Sequence, residues 1–107
     1  DPEVGEGARL LASRPELSVA RLAKALYLSE RQLRRRFDAA VGYGPKMLQR
    51  VLRFRGLLAR LAEPGPAPDL ARVASDLGYA DQAHLTREAR ELAGQTPMQL
   101  ARVNHPK

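Results

Sequence analysis

The sequence predicts an all-α chain of seven helices, arranged as two helix-turn-helix subdomains joined by a long linker helix. Two observations carry the repeat, and one carries the helices. Ser18, Ala20, Arg21, Leu22, Ala23 and Leu26 return 51 residues later as Asp69, Ala71, Arg72, Val73, Ala74 and Leu77. Beyond the next turn the offset becomes 52, and Ser29, Leu33, Arg35, Gly42, Pro45 and Leu48 return as Asp81, Leu85, Arg87, Gly94, Pro97 and Leu100. The extra residue falls where Tyr27-Leu28 becomes Gly78-Tyr79-Ala80, between two helical patterns. Apolar residues keep helical spacing throughout, and the strict alternation a strand needs is absent.

The elements follow in order. Val4, Ala8, Leu11 and Ala12 mark a first short helix that ends near Ser13, ahead of Pro15. Ser18 is placed to cap the second helix, whose face is Val19, Leu22, Ala23 and Leu26. Ser29 caps the third, with Leu33, Phe37, Ala40 and Val41 inward, and Gly42 closes it as a left-handed residue. Pro45 suits the first turn of a linker helix that runs to about Ala62. Its apolar residues are Met47, Val51, Phe54, Leu58 and Leu61, and Lys46, Arg50, Arg53 and Arg60 follow another face. This helix is expected to pack on both copies.

The stretch from Glu63 to Pro68, rich in Pro and Gly, breaks that helix and is the best candidate boundary. The predicted organisation is therefore 1–44 for the first helix and first subdomain, 45–63 for the linker, and 64–107 for the second subdomain and last helix. Asp69 repeats the Ser18 cap, with Leu70, Val73, Ala74 and Leu77 inward. Asp81 repeats Ser29, with Leu85, Ala89, Leu92 and Ala93 inward and Gly94 closing. Pro97 starts a last helix through Arg102, and Asn104 to Lys107 reads as a tail.

Composition narrows the class. A chain of 107 residues with 44% apolar content can bury a small core, and no Cys excludes disulfides and thiolate metal sites. No apolar run approaches the roughly 18 residues of a membrane span, so no membrane partner is expected and a cytoplasmic location is. An opening at Asp1 instead of Met fits a piece of something longer. Net charge is +6, distributed as −2 over residues 1–17, +4 over 18–44, +4 over 45–68, −2 over 69–97 and +2 over 98–107. A basic region favours a polyanion, because each phosphate contact releases counterions; a merely solvated basic surface is the alternative.

The second copy, Ala71-Arg-Val-Ala-Ser-Asp-Leu-Gly-Tyr-Ala-Asp-Gln-Ala-His-Leu-Thr-Arg87, and the Gly-x-x-Pro that closes each copy resemble the DNA-binding domain of the AraC/XylS family of bacterial transcription regulators. The resemblance covers Ser18 to Arg102. It implies a homeodomain-like double helix-turn-helix, double-stranded DNA as partner, and two recognition helices, at about 29–41 and 81–93, in adjacent major grooves. It also implies contact with RNA polymerase and an attached N-terminal effector or dimerisation domain. Adjacent major-groove faces lie about 34 Å apart, and an 18-residue linker helix spans roughly 27 Å, a suitable length for a spacer.

Outward positions supply the candidate base readers. Arg31, Arg34 and Arg35 share one surface of the first recognition helix, and an arginine fork matches guanine O6 and N7. Gln82, Ala83, Thr86 and Arg87 take the equivalent places on the second, suited to adenine, a thymine methyl and guanine. Arg21, Ser29, Gln32, Arg36, Lys46, Arg50 and His84 are candidates for phosphate contact; for every arginine, phosphate contact alone is the plainer alternative. Asp81, Glu88 and Glu91 are expected on the second reading surface, so the first copy should dominate affinity.

Where the first copy has Phe37 and the family usually has an aromatic, the second has Ala89. Either Leu85, Leu92 or Tyr79 fills the space or the second subdomain is looser. Tyr79 resembles the family's buried turn aromatic, and Tyr27 is expected to do the same in the first copy. No metal site and no cofactor are expected from two separated histidines, and no catalytic set is recognisable, so an enzyme is not expected. The rival function is a helical protein-interaction module that binds polyanions without sequence preference.

Overall fold

A computed structural model describes residues 1–104, with side chains described through Arg102; the expected tail residues 105–107, His105 among them, lie outside that range. The described residues form seven helices and no strand: α1 (Pro2–Ser13), α2 (Val19–Ala25), α3 (Glu30–Val41), α4 (Pro45–Ala62), α5 (Leu70–Leu77), α6 (Gln82–Ala93) and α7 (Pro97–Asn104). The chain packs as two compact units, Asp1–Leu52 and Arg53–Lys107, which meet inside α4 in sequence. The reason lies in α4 itself. Leu48 and Leu52 pack on the core of the first unit, whereas Phe54, Leu57, Leu58 and Leu61 belong to that of the second.

In the first unit, side chains take up free N–H groups that open α1, α2 and α3. Asp1 accepts from the Glu3 N–H, and Ser18 Oγ accepts from the Arg21 N–H at 3.1 Å. Ser29 and Gln32 form a reciprocal box: Ser29 Oγ accepts from the Gln32 N–H at 3.0 Å, and Gln32 Oε1 accepts from the Ser29 N–H at 2.9 Å. Gly42 ends α3 with φ +92°. The core gathers Val4, Leu11, Leu22, Ala23, Leu33 and Phe37, the last fully buried. α1 reaches it through Gly7, where an added Cβ would lie 3.2 Å from Phe37 Cζ, tighter than an ordinary contact. Gln49 of α4 is buried and ties down the α1–α2 connection, donating to the carbonyls of Pro15 at 3.0 Å and Leu17 at 2.7 Å.

The second unit repeats the caps with acidic residues. Asp69 accepts from the Ala71 N–H and Asp81 from the His84 N–H, at 3.0 and 2.7 Å. Its core is Leu57, Leu61, Val73, Ala74, Tyr79, Leu85, Ala89 and Leu100. Ala89 is fully buried. It shares one cluster with Tyr79, with Leu57 and Leu61 of α4 and with Leu100 of α7. In the first unit Phe37 meets α1 at Gly7. α5 packs closely on Gly56 of α4, where an added Cβ would lie 2.8 Å from Leu77 Cδ2.

Several expectations are corrected by these cores. Ala40, Val41 and Ala93 were expected inward and are exposed, each lying at the end of its helix beside the closing glycine. Ala12 is likewise exposed. In α4 the buried residues include Leu57, at a position outside the expected stripe.

The turns show where the copies differ in length. Leu28 N donates to Ala23 O at 2.9 Å, and Tyr79 N donates to Ala74 O at 2.9 Å, a spacing of 51 for both donor and acceptor. Tyr27 and Gly78 are both left-handed, with φ +58° and +87°. Leu33 N to Ser29 O and Leu85 N to Asp81 O already follow the spacing of 52. The added residue is therefore Ala80, and Tyr27 is the counterpart of Gly78, not of Tyr79. This overturns the expectation that Tyr27 is a core aromatic: it is 96% exposed, whereas Tyr79 is buried as expected.

Candidate nucleic-acid interface

The second helix of each motif presents an outward row because its inward row is fixed by core packing. On α3, Leu33 and Phe37 are fully buried, whereas Arg31 ahead of them and Arg34 and Arg35 between them are all exposed. None of these three is ion-paired to another described residue. Arg36 is different. Its Nη1 lies 3.2 Å from Glu3 Oε2 and 3.6 Å from Asp1 Oδ1, so the acidic first turn of α1 partly neutralises it. Arg21 and Lys46 are exposed, Arg50 is half-buried, and Ser29 and Gln32 are exposed but occupied with capping.

On α6, Leu85 and Ala89 set the inward row. Gln82, Ala83 and Arg87 are exposed and Thr86 is half-buried on the opposite side, as the equivalent of the α3 surface. Asp81 and Glu91 are exposed near them. Glu88, expected on the same surface, is not there: it is 3% exposed and points into the second unit. Helical phase explains this, since Glu88 lies three residues after Leu85 and shares a face with it.

Inside the unit Glu88 meets an arginine that was expected on the polar side of the linker helix. Arg53 Nη2 donates to Glu88 Oε2 at 2.9 Å and Nε to Oε1 at 3.3 Å, a two-pronged pair whose side chains are 11% and 4% exposed. The Arg53 guanidinium carbon also sits 5.2 Å from the centre of the Tyr79 ring, at cation–π distance. A charged residue three positions from an inward leucine, with a spare arginine on the linker, was the available sequence signal for this pair.

His84 is the third member. Its Nδ1 accepts from the Ala80 N–H at 3.0 Å, its Nε2 is 3.4 Å from Glu88 Oε2, and its ring meets Tyr79 edge-on with centres 5.2 Å apart. His84 stands where Gln32 stands in α3 and does a similar capping job, with the N–H of the inserted Ala80 as the donor it satisfies. The imidazole proposed for phosphate is therefore committed within its own unit. The described residues hold no cluster of His, Cys, Asp and Glu able to bind a metal, and no helix long and apolar enough to cross a membrane.

Two capped helix-turn-helix motifs, each with an exposed polar row on its second helix, define the class: a double helix-turn-helix DNA-binding domain. A family model described as a helix-turn-helix domain matches residues 22–102. The chain belongs to this family, in its AraC-type form. A protein of Streptomyces antibioticus described as an AraC-like transcription regulator is 37% identical over 100 residues; the match takes in 91% of this chain and 32% of that protein. The chain thus spans about a third of the length of the curated relative it matches.

Solved structures share the fold at low identity. An AraC-type DNA-binding-domain regulator from Chromobacterium violaceum superposes with a TM-score of 0.84 at 21% identity, over 98% of this chain and 94% of that one. The C-terminal domain of AraT, a response regulator from Geobacillus stearothermophilus, gives 0.85 at 20% identity, over 96% and 86%. The chain is an AraC-type helix-turn-helix DNA-binding domain.

Proposed function

We propose that α3 and α6 are the two reading helices and enter successive major grooves on one side of a duplex, with the outward rows Arg31, Arg34, Arg35 and Gln82, Ala83, Thr86, Arg87 as base readers. The observation that carries this reading is the exposure of an unlike outward row on two otherwise repeated helices. Arginine forks suit guanine, and the glutamine, alanine and threonine suit adenine and thymine, so the bound site is bipartite and asymmetric. Arg21, Lys46 and Arg50 supply phosphate contacts, with the exposed starts of the helices at Ser29 and Gln32 beside them. Binding occurs in the cytoplasm, with RNA polymerase and an N-terminal effector or dimerisation domain as further partners.

The test is selection of bound sequences from a random duplex library, read at two salt concentrations. The expected result is an enriched motif with two half-sites about one helical turn, roughly 34 Å, apart. Retention of every sequence alike, with affinity set by salt alone, would replace the reading with non-specific polyanion binding.

A further inference from the structure

We infer that Arg53 and Glu88 are positioning residues for sequence reading by α6: the buried pair sets the rotation of the helix about its axis and so decides which side chains reach the groove. The inference rests on the proposal that α6 reads bases. Glu88 directly follows Arg87, the longest of the outward candidates, and lies two residues after Thr86. It faces the interior while they face out, so the pair holds the helix from behind its reading surface.

The geometry is directional where the rest of the core is not. Leu85 and Ala89 bury apolar surface that tolerates a small rotation or slide, because such contacts have no preferred angle. The Arg53–Glu88 pair makes two hydrogen bonds at 2.9 and 3.3 Å, and a guanidinium fork on a carboxylate fixes both distance and plane. Glu88 Oε2 also faces His84 Nε2 at 3.4 Å, and His84 in turn holds the Ala80 N–H ahead of the helix. Tyr79 backs both, under Arg53 and against His84. α4, the turn and the first half of α6 are thereby locked in one register.

A stability role alone explains this pair poorly. Taking both charges out of water is costly, and apolar replacements of similar volume often fold as well or better, so a buried pair is better suited to selecting one geometry. The repeat points the same way. The counterpart of Glu88 in α3 is Arg36, which pairs instead with Asp1 and Glu3, and that of His84 is Gln32, which caps Ser29. The network belongs to the copy whose outward row has one arginine and depends on shorter side chains. Short readers such as Ala83 and Thr86 reach a base only if the helix is placed correctly, whereas long arginines adapt.

The experiment compares the domain with the double variant Arg53→Met/Glu88→Leu, using the duplex obtained by selection and duplexes altered singly in each half-site. Thermal denaturation is read alongside the binding constants. The expected result is a midpoint equal to or above the parent's, with discrimination in the α6 half-site reduced about tenfold and that in the α3 half-site within about twofold. The single variant Glu88→Gln, which keeps the shape and one acceptor, should lose the same preference in part. A stable double variant that keeps full discrimination in the α6 half overturns the inference. Gln82→Ala and Arg87→Ala are measured in parallel. If they relax the α6 half-site and the pair variants do not, only the positioning role falls; if neither set alters any preference, base reading by α6 falls and the inference with it.

Discussion

Tyr27 is a large side chain with nothing to pack against, held in a backbone region that favours glycine. The left-handed conformation costs a non-glycine residue about 1–2 kcal/mol, and glycine loses up to about 1 kcal/mol more than alanine in ordering the chain. The first effect is the larger, so Tyr27→Gly should stabilise the domain by about 0.5–1 kcal/mol, seen as a higher denaturant midpoint at unchanged slope. An unchanged or lower midpoint would mean the tyrosine makes up its strain through the chain around it. Residue by residue, the two proposed reading surfaces also predict an order. Arg31→Ala or Arg35→Ala should weaken specific binding in an electrophoretic shift more than Arg87→Ala, by about 1–3 kcal/mol for a base-reading fork. The opposite order would contradict a dominant first copy.

At the scale of the element, α1 contains two glycines whose surroundings differ. Gly5 has open space where a Cβ would go, and Gly7 faces Phe37 at 3.2 Å. Gly5→Ala should therefore gain close to the full propensity difference, about 0.5–1 kcal/mol, in thermal or chemical denaturation. Gly7→Ala should gain less or lose stability, because a buried ring has to move. Equal gains at both positions would show that Phe37 gives way freely. Elements of this kind were legible from sequence where local chemistry decides them. Ser18, Ser29, Asp69 and Asp81 act as caps, Gly42 and Gly94 close helices, and Pro45 opens α4, since each depends on its own neighbours along the chain. The sides of the helices were less legible where a distant residue decides. Glu88 shares the inward phase of Leu85 but carries a charge that Arg53 of α4 pairs in the interior, and Gln49 is held inward by the Pro15 and Leu17 carbonyls. The residue pattern places the insertion only within Gly78-Tyr79-Ala80, which leaves Tyr27 free to match Tyr79, and the backbone hydrogen bonds locate the insertion at Ala80.

For the whole molecule the charge is unevenly placed, +4 over residues 18–44 and −2 over 69–97. Phosphate contacts set the salt dependence of binding, each contributing about 0.9 to the slope of log K against log salt on duplex DNA. Arg21→Gln with Lys46→Gln should lower the magnitude of that slope by about two, whereas Arg72→Gln with Arg90→Gln should change it by less than about half a unit. Equal changes from both pairs would place the phosphate track along both copies. The unlike cores matter to anyone who would redesign the domain's target. α3 and α6 have the same length, similar caps and the same closing glycine, and so look like cassettes that could be exchanged whole. They are not. A transplanted α6 would bring Glu88 to a site without Arg53, and a transplanted α3 would bring Phe37 to a core that holds Ala89 at that position. Specificity can be moved between the copies only at the outward positions, with each helix left on the interior that shaped it.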